Sequence, residues 1–82
     1  MRNFQTLSRR YEMKAKELIG KEVLDSEARR VGKVVDLDID MTEARLKSIE
    51  VKAGLMKGFI IGLDKIHLVG DKIILNVKGN EL

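Results

Sequence analysis

From Val31 to Asp40 apolar and acidic side chains alternate: Val35, Leu37 and Ile39 occupy one set of positions, and Asp36, Asp38 and Asp40 the other. A period of two sends successive side chains to opposite faces of a sheet, so this segment predicts a strand with a core face and a solvated carboxylate face. Leu46 to Lys52 repeats the device, with Ser48, Glu50 and Lys52 facing out and Ile49 and Val51 apolar; bulges are free to shift that phase. Met41-Thr42-Glu43-Ala44 is the turn between the two strands. Upstream, Val23 and Leu24 follow Gly20 and precede a polar turn, Asp25 to Arg30. Downstream, the continuous apolar run Phe59-Ile60-Ile61 predicts a strand covered on both faces. Leu63 to Ile66 reads as one helical turn, and a brief strand ends at Val69. Gly70-Asp71 suits a two-residue hairpin loop leading into a last strand, Lys72 to Lys78. From Glu17 onward the pattern is β, and no proline interrupts it. Short strands at close spacing with no long helix between them predict an all-β fold, a small antiparallel barrel.

Residues 1–13 differ from this body, which we place at 14–80. Phe4, Leu7 and Tyr11 fall at helical spacing, and Arg9, Arg10 and Lys14 lie mostly off that stripe. One reading is a short basic amphipathic helix for a membrane surface or a partner. The other is a linker-like extension, since short isolated helices are marginal in water. Met13 is a second candidate start for the domain.

Composition changes the picture in two places. A chain of 82 residues without cysteine has neither disulfide staples nor thiolate metal sites, and a domain this small often leans on a partner or a second copy. The net charge of +3 hints at nucleic acid, but its distribution does not. Residues 1–16 hold five basic residues against one acidic, and the rest hold eleven against twelve. The excess belongs to the N-terminal segment. No apolar run nears the roughly 20 residues that span a bilayer, and no signal-like apolar segment follows Arg2, so a cytoplasmic location is expected.

Three motifs in order carry a family resemblance. Ala15-Lys16-Glu17-Leu18-Ile19-Gly20-Lys21-Glu22-Val23 resembles the opening of a PRC-barrel domain, named for the photosynthetic reaction centre H subunit. Val31-Gly32-Lys33-Val34-Val35-Asp36-Leu37-Asp38-Ile39-Asp40 resembles its second strand, where a Gly-Lys-Val-x-Asp pattern recurs. Ile60 to Ile66, then Val69-Gly70-Asp71-Lys72-Ile73-Ile74-Leu75, resembles its closing hairpin. The resemblance covers residues 14–78 and implies a six-stranded antiparallel barrel acting as a binding module, not an enzyme. Family members occur in the reaction centre H subunit and in a ribosome maturation factor, whose barrel contacts a ribosomal protein. Stand-alone archaeal members are similar in length, and some are linked to cell division as protein adaptors. Two departures bear on turn geometry. Ala28 stands near a usual glycine in the first turn, and Ile61-Gly62-Leu63 runs where the family often has proline.

The candidate chemistry is thin. Asp36, Asp38 and Asp40 open like a calcium loop, but Met41 follows where glycine is needed and Lys47 stands at the bidentate twelfth position; a solvated sheet face explains them better. His67 is the only histidine and has no second ligand type beside it in sequence. Gly54, Gly58 and Gly62 lead into an apolar strand and lack the Gly-Lys-Ser/Thr of a phosphate loop. Arg29, Arg30 and Lys33 are the basic cluster of the body, a possible contact for phosphate or an acidic partner. Asp25, Glu27 and Asp36 dilute it, and Phe59 is the one aromatic available for base stacking. Leu55, Met56, Phe59 and Ile61 are the apolar interface candidates, although Phe59 and Ile61 suit the barrel core equally. Edge strands of an open barrel also invite self-pairing. The expectation is a protein-binding adaptor, homodimeric, with no cofactor, no metal and no catalytic residues. An RNA- or ribosome-associated factor is the alternative, and membrane contact through residues 2–16 a weaker one.

Overall fold

A computed structural model describes residues 13–55 and 57–82. The segment 1–12 and Met56 lie outside the described residues. Among the described residues the first element is a single α-helical turn, α1 (Ala15–Leu18), followed by β1 (Glu22–Leu24), β2 (Arg30–Asp40), β3 (Arg45–Ala53) and β4 (Lys57–Gly62). A 3-10 turn (Leu63–Lys65) leads to β5 (Ile66–Val69) and β6 (Ile73–Leu75), and a second 3-10 turn (Gly79–Glu81) closes the chain. The β reading from Glu17 onward therefore misses α1. There the Glu17 carboxylate accepts the Lys14 backbone N–H at 2.7 Å, the return half of a capping box.

The six strands form one sheet in the order β4-β3-β2-β1-β6-β5. Four pairings are antiparallel, and β1–β6 is parallel. This exception to the expected antiparallel pattern has a simple cause. The chain crosses from β4 to β5 without reversing sense, so the β5–β6 hairpin lays β6 alongside β1 in the same direction. The crossing also forces curvature. Gly62 and Ile66 are four residues apart, a reach of at most about 14 Å. The edges of a flat six-stranded sheet would lie about 24 Å apart. The sheet curls into a half-barrel whose β4 and β5 edges remain unpaired with each other among the described residues.

The concave face holds the core: Val23, Val31, Val34, Ile49, Val51, Ile61, Ile73 and Leu75 are buried. Leu18, Leu37, Phe59, Ile66 and Val77 pack against them. The alternation in β2 does not survive intact. Val34 pairs with Val51 and Asp36 with Glu50, which leaves Val35 as an extra residue. This bulge carries Val35 to 42% exposure while Val34 stays at 1%. A second bulge near Asp38 and Ile39 leaves Ile39 57% exposed. The core face of β2 is thus Val31, Val34 and Leu37, not Val35, Leu37 and Ile39. Ser48, expected outward, is buried and donates its hydroxyl to Asp38 Oδ2 at 2.8 Å. Ile60 is exposed, so β4 is covered on one face only. The hairpin loop has three residues, Gly70-Asp71-Lys72, and the last strand ends at Leu75.

Gly32 is the glycine that packing requires. A Cβ built there would lie 2.7 Å from the Lys52 carbonyl carbon, so β2 and β3 could not approach as they do with any side chain at that position.

Candidate interaction surface

The β1–β2 turn is organised by one side chain. Asp25 is buried, and its Oδ1 accepts the backbone N–H groups of Glu27 (2.9 Å) and Arg29 (2.8 Å). Its Oδ2 accepts the N–H of Gly79 at 2.9 Å. Asp is a turn former because its carboxylate can accept from the backbone two residues on, and here it also ties the C-terminal 3-10 turn to the first turn. These backbone donors, Arg29 foremost and then Gly79, hold the carboxyl below the usual carboxylate range against the opposing effect of burial. The turn closes through Ala28, a non-glycine residue with φ of 64°. The glycine departure read from sequence thus sits at a left-handed position. The second departure is benign: Gly62 has φ of −69°, which proline also adopts.

This tie gathers two distant segments at one end of the half-barrel. Arg29 and Arg30 of the first turn, Lys78, Gly79 and Asn80 of the C-terminus, and Asp25 and Glu27 line a recess of about 220 Å³. Arg30 and Gly79 are shared with a second recess of about 260 Å³, lined also by Val31, Ala53 and Phe59. Ala53 ends β3 and leads into the β3–β4 turn, where Leu55 is 94% exposed. Arg30 of the predicted basic cluster and Phe59 of the predicted apolar one therefore line the same recess.

Its electrostatics are uneven. Arg30 is committed: its Nε lies 2.8 Å from Glu22 Oε2, and Lys72 Nζ lies 2.6 Å from Glu22 Oε1. These cations, Lys72 first, hold the Glu22 carboxyl below its usual range. Arg29 and Lys78 each reach Glu27 only at 3.9 Å and are exposed, so their charge remains largely available to a partner. Lys33 is exposed further along β2, with Lys52 and Glu22 as its strand partners.

Several expected residues fall elsewhere. Ile61 is 1% exposed and belongs to the core, because its position on β4 points to the concave face; it is not an interface residue. Phe59 is half-buried and packs against the core while lining the second recess. Met56 lies outside the described residues. Asp36 and Asp38 are exposed on β2, Asp40 is half-buried at its end, and His67 is an exposed bulge residue in β5. Gly54 turns the chain with φ of 71°, and Gly58 and Gly62 sit within β4. Among the described residues no group of three or more His, Cys, Asp or Glu could hold a metal ion. No helix of these residues is long and apolar enough to cross a membrane. Sequence reading missed Lys78 and Asn80, which lie about fifty positions from Arg29 and share no local motif with it. Asp25 carried a signal, an Asx turn, that its dilution of the basic cluster obscured.

A curled six-stranded half-barrel offering shallow open recesses and an exposed loop defines a small module of the binding type. The chain belongs to the PRC-barrel domain family, whose model matches residues 11–82. No curated protein matches it.

Proposed function

We propose that this PRC-barrel is a non-enzymatic adaptor that binds a segment of another protein at the Leu55–Arg29–Lys78 end. The observation that carries this reading is that the weakly paired Arg29 and Lys78 line one recess, half-buried Phe59 lines the second, which shares Arg30 and Gly79 with it, and the exposed Leu55 lies two residues beyond Ala53 of that second recess. An apolar anchor ringed by available charge is what a protein interface needs, and it favours a partner segment with a bulky apolar residue beside carboxylates. Adaptor roles of similar stand-alone members in cell division support the same reading. We propose further that the module is dimeric and cytoplasmic. The edge of β4, whose Gly58 to Gly62 segment carries no charge, is open to a second copy.

The test is affinity capture from native lysate with nuclease present, comparing the native chain with Leu55→Asp and Arg29→Glu. A small set of proteins held by the native chain and lost from Leu55→Asp is expected, with a modest decrease for Arg29→Glu. Recovery of RNA-dependent or ribosomal material, unaffected by Leu55→Asp, overturns the adaptor reading in favour of an RNA- or ribosome-associated role.

A further inference from the structure

The carboxylates around the first recess are of two kinds. Asp25 commits both oxygens to backbone donors, Glu27 and Arg29 N–H on Oδ1 and Gly79 N–H on Oδ2. Glu22 holds Arg30 at 2.8 Å and Lys72 at 2.6 Å, and Glu81 accepts the Lys78 backbone N–H at 2.9 Å. Glu27 is different. Among the described residues, the cations nearest its carboxylate stand beyond hydrogen-bond reach: Arg29 Nε is 3.9 Å from Oε1 and Lys78 Nζ is 3.9 Å from Oε2. One carboxylate therefore spans both cations, one oxygen toward each, without closing on either. The Glu27 side chain is 44% exposed, against 79% for Arg29 and 56% for Lys78, so it is more covered than the two cations it faces.

The frame around Glu27 is fixed. Ser26 donates its N–H to the Val77 carbonyl at 2.9 Å, and Gly79 donates to Asp25 Oδ2, so the backbone is clamped on both sides of Lys78. Ala28 donates to the Asp25 carbonyl at 3.0 Å and Arg29 to Asp25 Oδ1, which holds the other half. The backbone positions of Arg29 and Lys78 are set before any partner arrives. The Glu27 backbone is held by Asp25 as well, so only its side chain is free to leave. A carboxylate tethered in such a place has a high effective concentration. A lone acid in solution competes with it poorly, whereas an acid on a segment anchored at a second point competes well. The second point adjoins: the recess that shares Arg30 and Gly79 with this one presents Val31, Ala53 and Phe59.

We propose that Glu27 is a built-in occupant of the partner site: its carboxylate stands where a carboxylate of the partner binds Arg29 and Lys78, and binding swings it out. The partner is a protein segment with an acidic side chain beside a bulky apolar one, and segments lacking either are turned away by the resident carboxylate. The inference rests on the adaptor reading of this end of the sheet and adds the residue that sets its selectivity.

The probe is acetyl-Asp-Leu-Asp-amide, titrated at low salt into the full isotope-labelled chain and followed through backbone amide signals. Shifts at residues 29–30, 59 and 78–80 are expected. Glu27→Gln should tighten binding about two- to fivefold, the range that an exposed ion pair commands. Glu27→Asp keeps the charge but is one methylene shorter and no longer spans both cations, so it too should bind more tightly than the native chain. A Gln variant no tighter than native shows that the carboxylate does not compete, and an Asp variant equal to native reduces Glu27 to its net charge; either overturns the proposal. Absence of shifts in the native chain and in Glu27→Gln, with amide dispersion showing both folded, overturns it as well. Acetyl-Asn-Leu-Asn-amide and sodium acetate at the same concentration should leave these signals in place, and equal shifts from acetate would show that no anchored acid is required. Lysate capture that still depends on Leu55 and Arg29 while Glu27→Gln changes nothing removes this inference alone. Loss of that dependence removes the adaptor reading beneath it.

Discussion

Ala28 carries a left-handed backbone, φ 64°, in the turn that Asp25 organises. That region costs an L-residue roughly 1–2 kcal/mol and glycine almost nothing, while glycine's extra freedom in the unfolded chain costs about 0.5–1 kcal/mol. Ala28→Gly is expected to stabilise the protein by up to about 1 kcal/mol, read as a rise in thermal midpoint of roughly 5 °C. Asp25 itself has the opposite character. Asparagine would turn an amide donor toward backbone N–H donors, so Asp25→Asn should lower the midpoint at neutral pH by on the order of 5–10 °C. The pH dependence follows from the lowered carboxyl pKa. The folded state binds this proton less readily than the unfolded state, so the stabilisation is fully present well above the ordinary value of 3.8. It is lost as pH falls through that value toward the lower folded one. Denaturant titrations between neutral pH and pH 3 should show a steeper acid loss in the native chain than in Asp25→Asn.

Strands are where pattern and structure part company. Read as strict alternation, β2 puts Val35 in the core; the bulge at Val35 hands that role to Val34. The two valines are adjacent, identical and distinguished only by phase, so they make a clean comparison. Val34→Thr buries a hydroxyl among Ile and Val side chains and should cost about 2 kcal/mol. Val35→Thr, at an exposed strand position, should change stability by no more than about 0.5 kcal/mol. Equal effects in a urea titration would contradict the phase shift. A bulge is a two-chain event, set by what β3 offers opposite, and the β2 sequence alone holds no sign of it. Ser48 illustrates the same point: its hydroxyl is buried because Asp38 stands across the ladder to receive it.

For the whole molecule, the curl of the sheet decides what is available for binding. It buries Ile61 and leaves Leu55, a few residues away, almost wholly exposed. Binding and stability should therefore separate cleanly at Leu55. Leu55→Asp is expected to unfold within about 0.5 kcal/mol of the native chain while losing its captured partner. Sedimentation equilibrium of the same two proteins should give a dimer mass for both, since the proposed dimer contact is the Gly58–Gly62 edge of β4 and not the turn that carries Leu55. A monomer mass for the native chain overturns the dimer proposal. The gathering of Arg29, Arg30 and Lys78 at one end comes instead from the parallel β1–β6 pairing, which brings the two strands' ends together, and from the Asp25–Gly79 tie.

The sequence alone was enough for the strand content, the turns at 25–30 and 41–44, the helical turn after β4 and the family. These rest on local preferences: period-two patterning, Asp, Asn and Gly at turns, and motifs within a few residues of one another. It also exposed the charge asymmetry between residues 1–16 and the body. Only the tertiary structure decided the parallel β1–β6 pairing, the phase of β2, the burial of Ser48 and Ile61, and the company of Lys78 at the first turn. Each depends on a neighbour ten to fifty positions away, and a side chain's exposure is fixed by what packs against it, which no local pattern specifies.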